Sequence, residues 1–250
     1  MTRRARGFSL IEMAFVLIIV TLLLGGLLVP FATQVEQKRI AETNKALEEI
    51  KEALIGYALS HTSTPAAPGS PPQPFLPCPN TNGDGLEGAR GGGGDCLVSE
   101  GNLPWATLGT TPIDAWGNRF RYRVTNIFSN NVTGFDLNDP GTLTICGSTP
   151  TAGLPLTCPV NQSIASGVPA VVLSSGKNGL GGISANTGVA NPPPVSNDEI
   201  ENTDAGINSN FFVSRIITGP GAPIGEFDDQ VIWLSPNVLF NRMVAAGRLP

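Results

Sequence analysis

One stretch near the amino terminus constrains this chain more than any other. Residues 3–31 read RRARGFSLIEMAFVLIIVTLLLGGLLVPF. Three arginines (Arg3, Arg4 and Arg6) and Gly7 come first. Residues 8–29 then form an apolar run whose one charge is Glu12 and whose other polar side chains are Ser9 and Thr21. As a helix rising about 1.5 Å per residue, such a run is long enough for the roughly 30 Å hydrocarbon core of a bilayer. The basic flank predicts a cytoplasmic amino terminus with the rest of the chain directed outward. A secretory signal peptide has a shorter apolar region, about 7–15 residues, followed by a small-residue cleavage site. A plain anchor accounts for the length but not for Glu12. A lone carboxylate at that depth costs at least about 2.5 kcal/mol unless it is partnered, so it is a candidate functional group.

These residues carry a resemblance. Arg6-Gly7-Phe8-Ser9-Leu10-Ile11-Glu12 before an unbroken apolar run is similar to the class III leader of type IV pilins and type II secretion pseudopilins. The resemblance implies cleavage between Gly7 and Phe8 by prepilin peptidase, and N-methylation of the new terminus on Phe8. It implies other pilin or pseudopilin subunits and an inner-membrane assembly platform as partners. Glu12 is then the assembly residue. A carboxylate at low dielectric attracts the Phe8 ammonium of a neighbouring subunit.

Composition agrees with an extracytoplasmic domain. Gly (30) and Pro (22) are abundant, and charged residues make up 14% of the 250. Without residues 1–7, 12 basic residues stand against 20 acidic ones. No basic patch points to nucleic acid, and none is expected as a partner. The four cysteines suit disulfides in an oxidising compartment.

Downstream, Pro30 is expected to end or kink the apolar helix. Residues 33–61 place Ile40, Leu47, Ile50, Leu54 and Tyr57 on one helical face, with charges mostly elsewhere. The two stretches are read as one long helix. Residues 62–77 contain six prolines and predict an extended linker over the domain surface. Cys78–Cys96 and Cys146–Cys158 are the favoured pairings, because each brackets a turn-rich segment. Strands are expected at 119–125, 143–146, 170–174, 211–217 and 230–234. In the first, Phe120, Tyr122 and Val124 alternate with Arg119, Arg121 and Arg123, predicting a solvated basic outer face. Trp105 and Trp116 are candidate core anchors. Ser235-Pro236 opens a terminal helix with Leu239, Met243 and Val244 on its apolar face, and Gly247 ends it.

Two places carry candidate calcium ligands. Asn80, Asn82 and Asp84 put oxygens at positions 1, 3 and 5 of a loop with Gly85 at position 6, like the opening of an EF-hand; the acid of position 12 is missing. Ordinary turn chemistry explains the same residues. The second group follows a glycine-rich segment, SSGKNGLGG at 174–182, which resembles the loop before the pseudopilin calcium site. Asp198, Glu199, Glu201, Asp204, Asp228 and Asp229 lie beyond it, with Asp198, Asp204 and Asp228 as the tentative ligands. The Asp114-to-Val124 segment resembles, in part, the Trp-Gly turn of major secretion pseudopilins. His61 is the one histidine, so no Ser-His-Asp arrangement or histidine metal cluster exists. Asp228 and Asp229 as strand neighbours are expected on opposite faces.

The expectation is a non-enzymatic α+β chain with a pilin-like fold. Residues 1–7 are the leader, 8–31 the transmembrane and assembly helix, 32–61 its amphipathic continuation, and 62–250 a loop-rich periplasmic β domain. The function expected is that of a pseudopilin or minor pilin of a type II secretion pseudopilus or type IV pilus. The alternatives are a pilus-tip adhesive minor pilin and a non-polymerising anchored periplasmic binding protein. The location expected is the bacterial inner membrane in a single pass, then a filament.

Overall fold

The computed structural model describes residues 9–64, 71–151, 156–203 and 210–250, the side chains of 24–30 excepted. The chain divides into two compact units, Met1–Ala41 and Glu42–Pro250. The helix α1 (Leu10–Ser60) belongs to both and continues through Pro30, which therefore does not end it. In the first unit the side chains of residues 10–23 are exposed, Leu10 at 91% and Leu22 at 72%. No helix among the described residues is long and apolar enough to cross a membrane.

The second unit is built on the last turns of α1. Leu47, Ile50, Leu54 and Tyr57 recur every three or four residues, and all four are buried. They meet a four-stranded antiparallel sheet, order β1-β2-β5-β7, made of β1 (Glu100–Asn102), β2 (Arg121–Val124), β5 (Ala170–Ser174) and β7 (Gln230–Leu234). One face of this sheet supplies Tyr122, Val124, Ala170, Val172 and Leu234 to the core under α1. The other supplies Val171, Leu173, Val231 and Trp233 to a second core. That core is closed by a three-stranded sheet, β4 (Ser163–Val168), β3 (Leu143–Cys146) and β6 (Phe211–Val213), in which β3 and β6 run parallel. Strand β5 is buried along its whole length because both faces are covered. Among the described residues four short helices complete the unit: α2 (Trp105–Leu108), α3 (Asn126–Ser129), α4 (Asn197–Thr203) and α5 (Pro236–Ala245).

Several expectations need correction. Residues 74–80 are buried, so the end of the proline-rich segment runs through the core rather than over it. Phe75 and Leu76 are its apolar anchors, and Leu76 N–H donates to Phe128 O at 2.7 Å. Residues 65–70 of that segment lie outside the described residues. The basic row of β2 is not solvated. Glu100 on β1 accepts from Arg121 and, at 2.6 Å, from Arg123, which is 7% exposed. Glu100 and Arg123 are register partners, so a single cross-strand carboxylate is shared by Arg121 and Arg123. Trp105 and Trp116 are half-buried; Trp105 packs against the core beneath the Arg119 guanidinium. Strand β6 stops at Val213, and β1 and β4 had no sequence signal. In α5, Leu239 and Met243 are buried while Val244 is 43% exposed. Ser235 occupies the cap position but makes no side-chain capping bond.

Disulfides join Cys78 to Cys96 and Cys146 to Cys158. Each closes a short loop, which stabilises by about 3 kcal/mol in the chain-entropy account. Ile50 is fully buried where α1 meets the sheet. Ile50→Ala is expected to destabilise the second unit by about 2–5 kcal/mol, read as a lower denaturation midpoint of the full chain in detergent.

Candidate functional site

Three side chains from two separate parts of the second unit converge near the glycine-rich loop. Glu199 stands in the first turn of α4, and Asp228 and Asp229 immediately precede β7. One carboxylate oxygen from each lies within 4.8 Å of the other two. The two aspartates sit before the strand, where its alternation does not apply, so they share one site despite being neighbours. The loop places its own groups around them. Asn178 N–H donates to Asp228 Oδ2 at 2.7 Å, and Asn178 Nδ2 donates to Glu199 Oε1 at 3.4 Å. Asp228 N–H also donates to Glu199 Oε1, at 3.1 Å. Gly176, at φ +59°, passes so near that an added Cβ would lie 2.2 Å from Asp228 O. Only glycine fits there without displacement.

Charge is poorly supported in this cluster. Asp228 Oδ1 is buried without a hydrogen-bond partner. Burial, with the Glu199 charge adding to it, pushes Asp228 up to about 6. Burial likewise raises Asp229 well above the usual carboxylate range, and it raises Glu199. Asp229 is relieved in part by Asn202 Nδ2, which donates to it at 2.9 Å.

The other sequence candidates are differently engaged. Asp198 accepts from Arg215 Nε at 2.6 Å and from Thr149 N–H at 2.7 Å and Oγ1 at 2.6 Å. It is occupied by that pairing and is not part of the cluster. Asp204 lies outside the described residues. The first loop closes on itself. Asn80 Nδ2 donates to Asn82 Oδ1 at 2.8 Å, to Asp84 Oδ1 at 2.7 Å and to Leu86 O at 2.9 Å. An amide thus occupies the centre on which those oxygens converge. Asp84 is held below its ordinary value, chiefly by the Leu86 N–H.

At the amino terminus, Gly7 and Phe8 lie outside the described residues. Ser9 begins the helix: its carbonyl accepts from Met13 N–H at 3.2 Å and its Oγ from Ile11 N–H at 3.4 Å. Glu12 Oε2 accepts from Ser9 N–H at 2.9 Å. Ser9 and Glu12 therefore have the spacing and the returning carboxylate bond of a capping box. The carboxylate meets the positive end of the helix dipole. The profile of the prokaryotic N-terminal methylation motif matches residues 2–28. This motif is characteristic of type IV prepilin-like proteins. The chain carries a prepilin-type amino terminus. No curated protein and no solved structure matches the chain. The motif and the carboxylate cluster lie in different units.

Sequence reasoning grouped the cluster's acids but chose Asp198 over Glu199 and separated Asp229 from Asp228. A usable signal was the loop asparagine: Asn178 bonds both Asp228 and Glu199. The raised acids bind protons in the folded chain that the unfolded chain releases. Stability from this cluster therefore falls as pH rises from about 4, the ordinary value, to about 6. In chelator, Asp228→Asn is expected to flatten that loss and to melt roughly 2–4 °C above the parent chain at pH 7, measured by thermal unfolding between pH 4 and pH 7.

Proposed function

We propose that this chain is a structural, non-catalytic subunit, a pseudopilin or minor pilin, that acts by assembling through its N-terminal helix. The observation that carries the reading is the methylation motif at residues 2–28, with Glu12 inside it. The motif implies processing by prepilin peptidase and assembly with other pilins. The proposed course has three steps. The peptidase cuts between Gly7 and Phe8, the apolar helix is held in the inner membrane, and assembly transfers it into a bundle of like helices. The exposed side chains of residues 10–23 support it, because so large an apolar surface needs lipid or other helices to cover it. The second unit is the part presented outside. Its two disulfides suit an oxidising compartment. The glycine-rich loop over the acidic cluster inclines the reading to a secretion pseudopilus rather than a pilus.

The capping bond gives Glu12 a position for its assembly role. The carboxylate accepts from Ser9 N–H at the first turn of α1, and its proposed partner in assembly is the Phe8 ammonium of a neighbouring subunit. Intact mass and N-terminal analysis of the membrane-extracted chain should find it beginning at N-methylated Phe8. Glu12→Ala should be processed and inserted but recovered in sheared filaments at less than about a tenth of the parent amount. A chain still beginning at Met1 in cells with active prepilin peptidase would leave an anchored binding protein.

The acidic cluster fits a hard cation, and we assign it calcium. Three carboxylates converge, one oxygen is buried without a partner, and burial disfavours their charge. Glu199, Asp228 and Asp229 would hold the ion, which would supply the positive charge they lack. Calcium should raise the melting temperature of the full chain at pH 7, and Asp228→Asn should abolish that rise. An equal rise in the variant would count against the site.

A further inference from the structure

A cleft of about 520 Å³ lies between the β1–β2 pair and the second half of the glycine-rich loop. Arg119, Arg121 and Glu100 line it from the sheet side, and Gly181, Gly182 and Ile183 from the end of the loop. Its size falls in the roughly 300–1,000 Å³ range of small-molecule sites. Arg119 N–H donates to Ile183 O at 2.9 Å, which ties the two walls together. Gly182 faces Ser175: an added Cβ would lie 2.7 Å from Ser175 Oγ. The missing side chain keeps the space in front of that hydroxyl open.

The lining is positive. It holds two arginines and one carboxylate, and that carboxylate, Glu100, is also bound by Arg123 at 2.6 Å. Arg119 has no carboxylate within ion-pair distance among the described residues. Its guanidinium is fixed by neutral groups instead. Nη1 donates to Gly83 O at 3.1 Å, and the plane lies over the Trp105 ring, 5.0 Å from its centroid. Asp229 feels the Arg121 charge, but burial favours its neutral form. Ser175 adds an independent observation. It is 4% exposed and lines the cleft, and its hydroxyl makes no hydrogen bond among the described residues. An unpaired buried hydroxyl is costly, so this wall presents a donor for an occupant to satisfy.

We propose that this cleft binds a small molecule through a carboxylate or phosphate group. Arg119 and Arg121 hold the anionic group, and Ser175 Oγ donates a further bond to it. Arg121 directs Nε to Glu100 and Arg119 directs Nη1 to Gly83 O, so each guanidinium keeps other N–H donors for a ligand. The planar fork matches two oxygens of either group, which a spherical anion does not offer. Water satisfies a hydroxyl, but it leaves the positive lining unmatched. The guanidinium of Arg119 is held in place before any ligand arrives, so little side-chain freedom is lost on binding. The site goes beyond the reading of the chain as an assembling subunit and belongs to its outer unit alone.

The test is phenylglyoxal labelling of the full chain in detergent, read arginine by arginine from peptide masses. Inorganic phosphate and acetate are the probes, with chloride holding the ionic strength constant. At least one probe should protect Arg119 saturably, slowing its labelling about tenfold. Exposed Arg248 should keep its rate. Protection at lower concentration by phosphate assigns a phosphate-bearing ligand, and by acetate a carboxylate-bearing one. Ser175→Ala should raise the half-protecting concentration about threefold. Arg121→Gln leaves Arg123 on Glu100 and should raise it at least about tenfold. The Ser175 hydroxyl makes no bond within the chain, so its removal leaves the fold intact and the test decisive even if Arg121→Gln unfolds the unit. Four results overturn the site: an Arg119 that resists labelling without any anion, no protection by either probe, equal protection of Arg248, or a half-protecting concentration unchanged in Ser175→Ala.

Discussion

Burial of one stripe of α1 is the interaction on which the outer unit depends. Leu47, Ile50 and Leu54 have almost no exposed surface, and full burial of such side chains contributes about 1.5–3 kcal/mol each. The stripe fixes which face of the four-stranded sheet is inside. That choice puts Val171, Leu173, Val231 and Trp233 on the opposite face, which then needs a cover of its own. The three-stranded sheet provides it. A helix, a sheet and a second sheet therefore follow from one helical surface, because each layer leaves one apolar face for the next to bury.

The loops are held by a different chemistry. Few apolar side chains are available in the glycine-rich segments, so backbone groups are satisfied by side-chain amides and carboxylates. Asn80 gathers the 80–86 turn, and Asp114 accepts from Trp116 N–H, Asn118 N–H and the Ser174 hydroxyl. Arg90, within reach of Glu87, also donates to Leu76 O at 3.3 Å and to Ser129 O. These contacts and the Cys78–Cys96 bridge order a segment whose composition would otherwise leave it without a fixed conformation.

Where side-chain pattern governs structure, the chain was readable. The helix stripe rests on apolar periodicity, and β5 and β7 on short unbroken apolar runs. The amino-terminal motif was readable because its chemistry is contiguous. What failed depends on distant partners. Arg121 and Arg123 looked solvated because their carboxylate, Glu100, is more than twenty residues away. Strand β4 was invisible because small polar residues give no alternation. Asp198 looked like a ligand until Arg215 took it, and Glu199 and Asp229 joined Asp228 through a fold in which Asn178 and Asn202 set the spacing. Phe75 and Leu76 were hidden among prolines.

Asn202 carries two jobs in one side chain. Its two amide hydrogens go to Val213 O and to Asp229, and its oxygen receives Val213 N–H. Among side chains of this size, aspartate has no hydrogens to give and would add a further negative charge beside three acids. Leucine would leave an acid and a strand end bare at once. The position thus has almost no chemical neighbours among the twenty amino acids, and the sheet margin and the acidic cluster must change together or not at all.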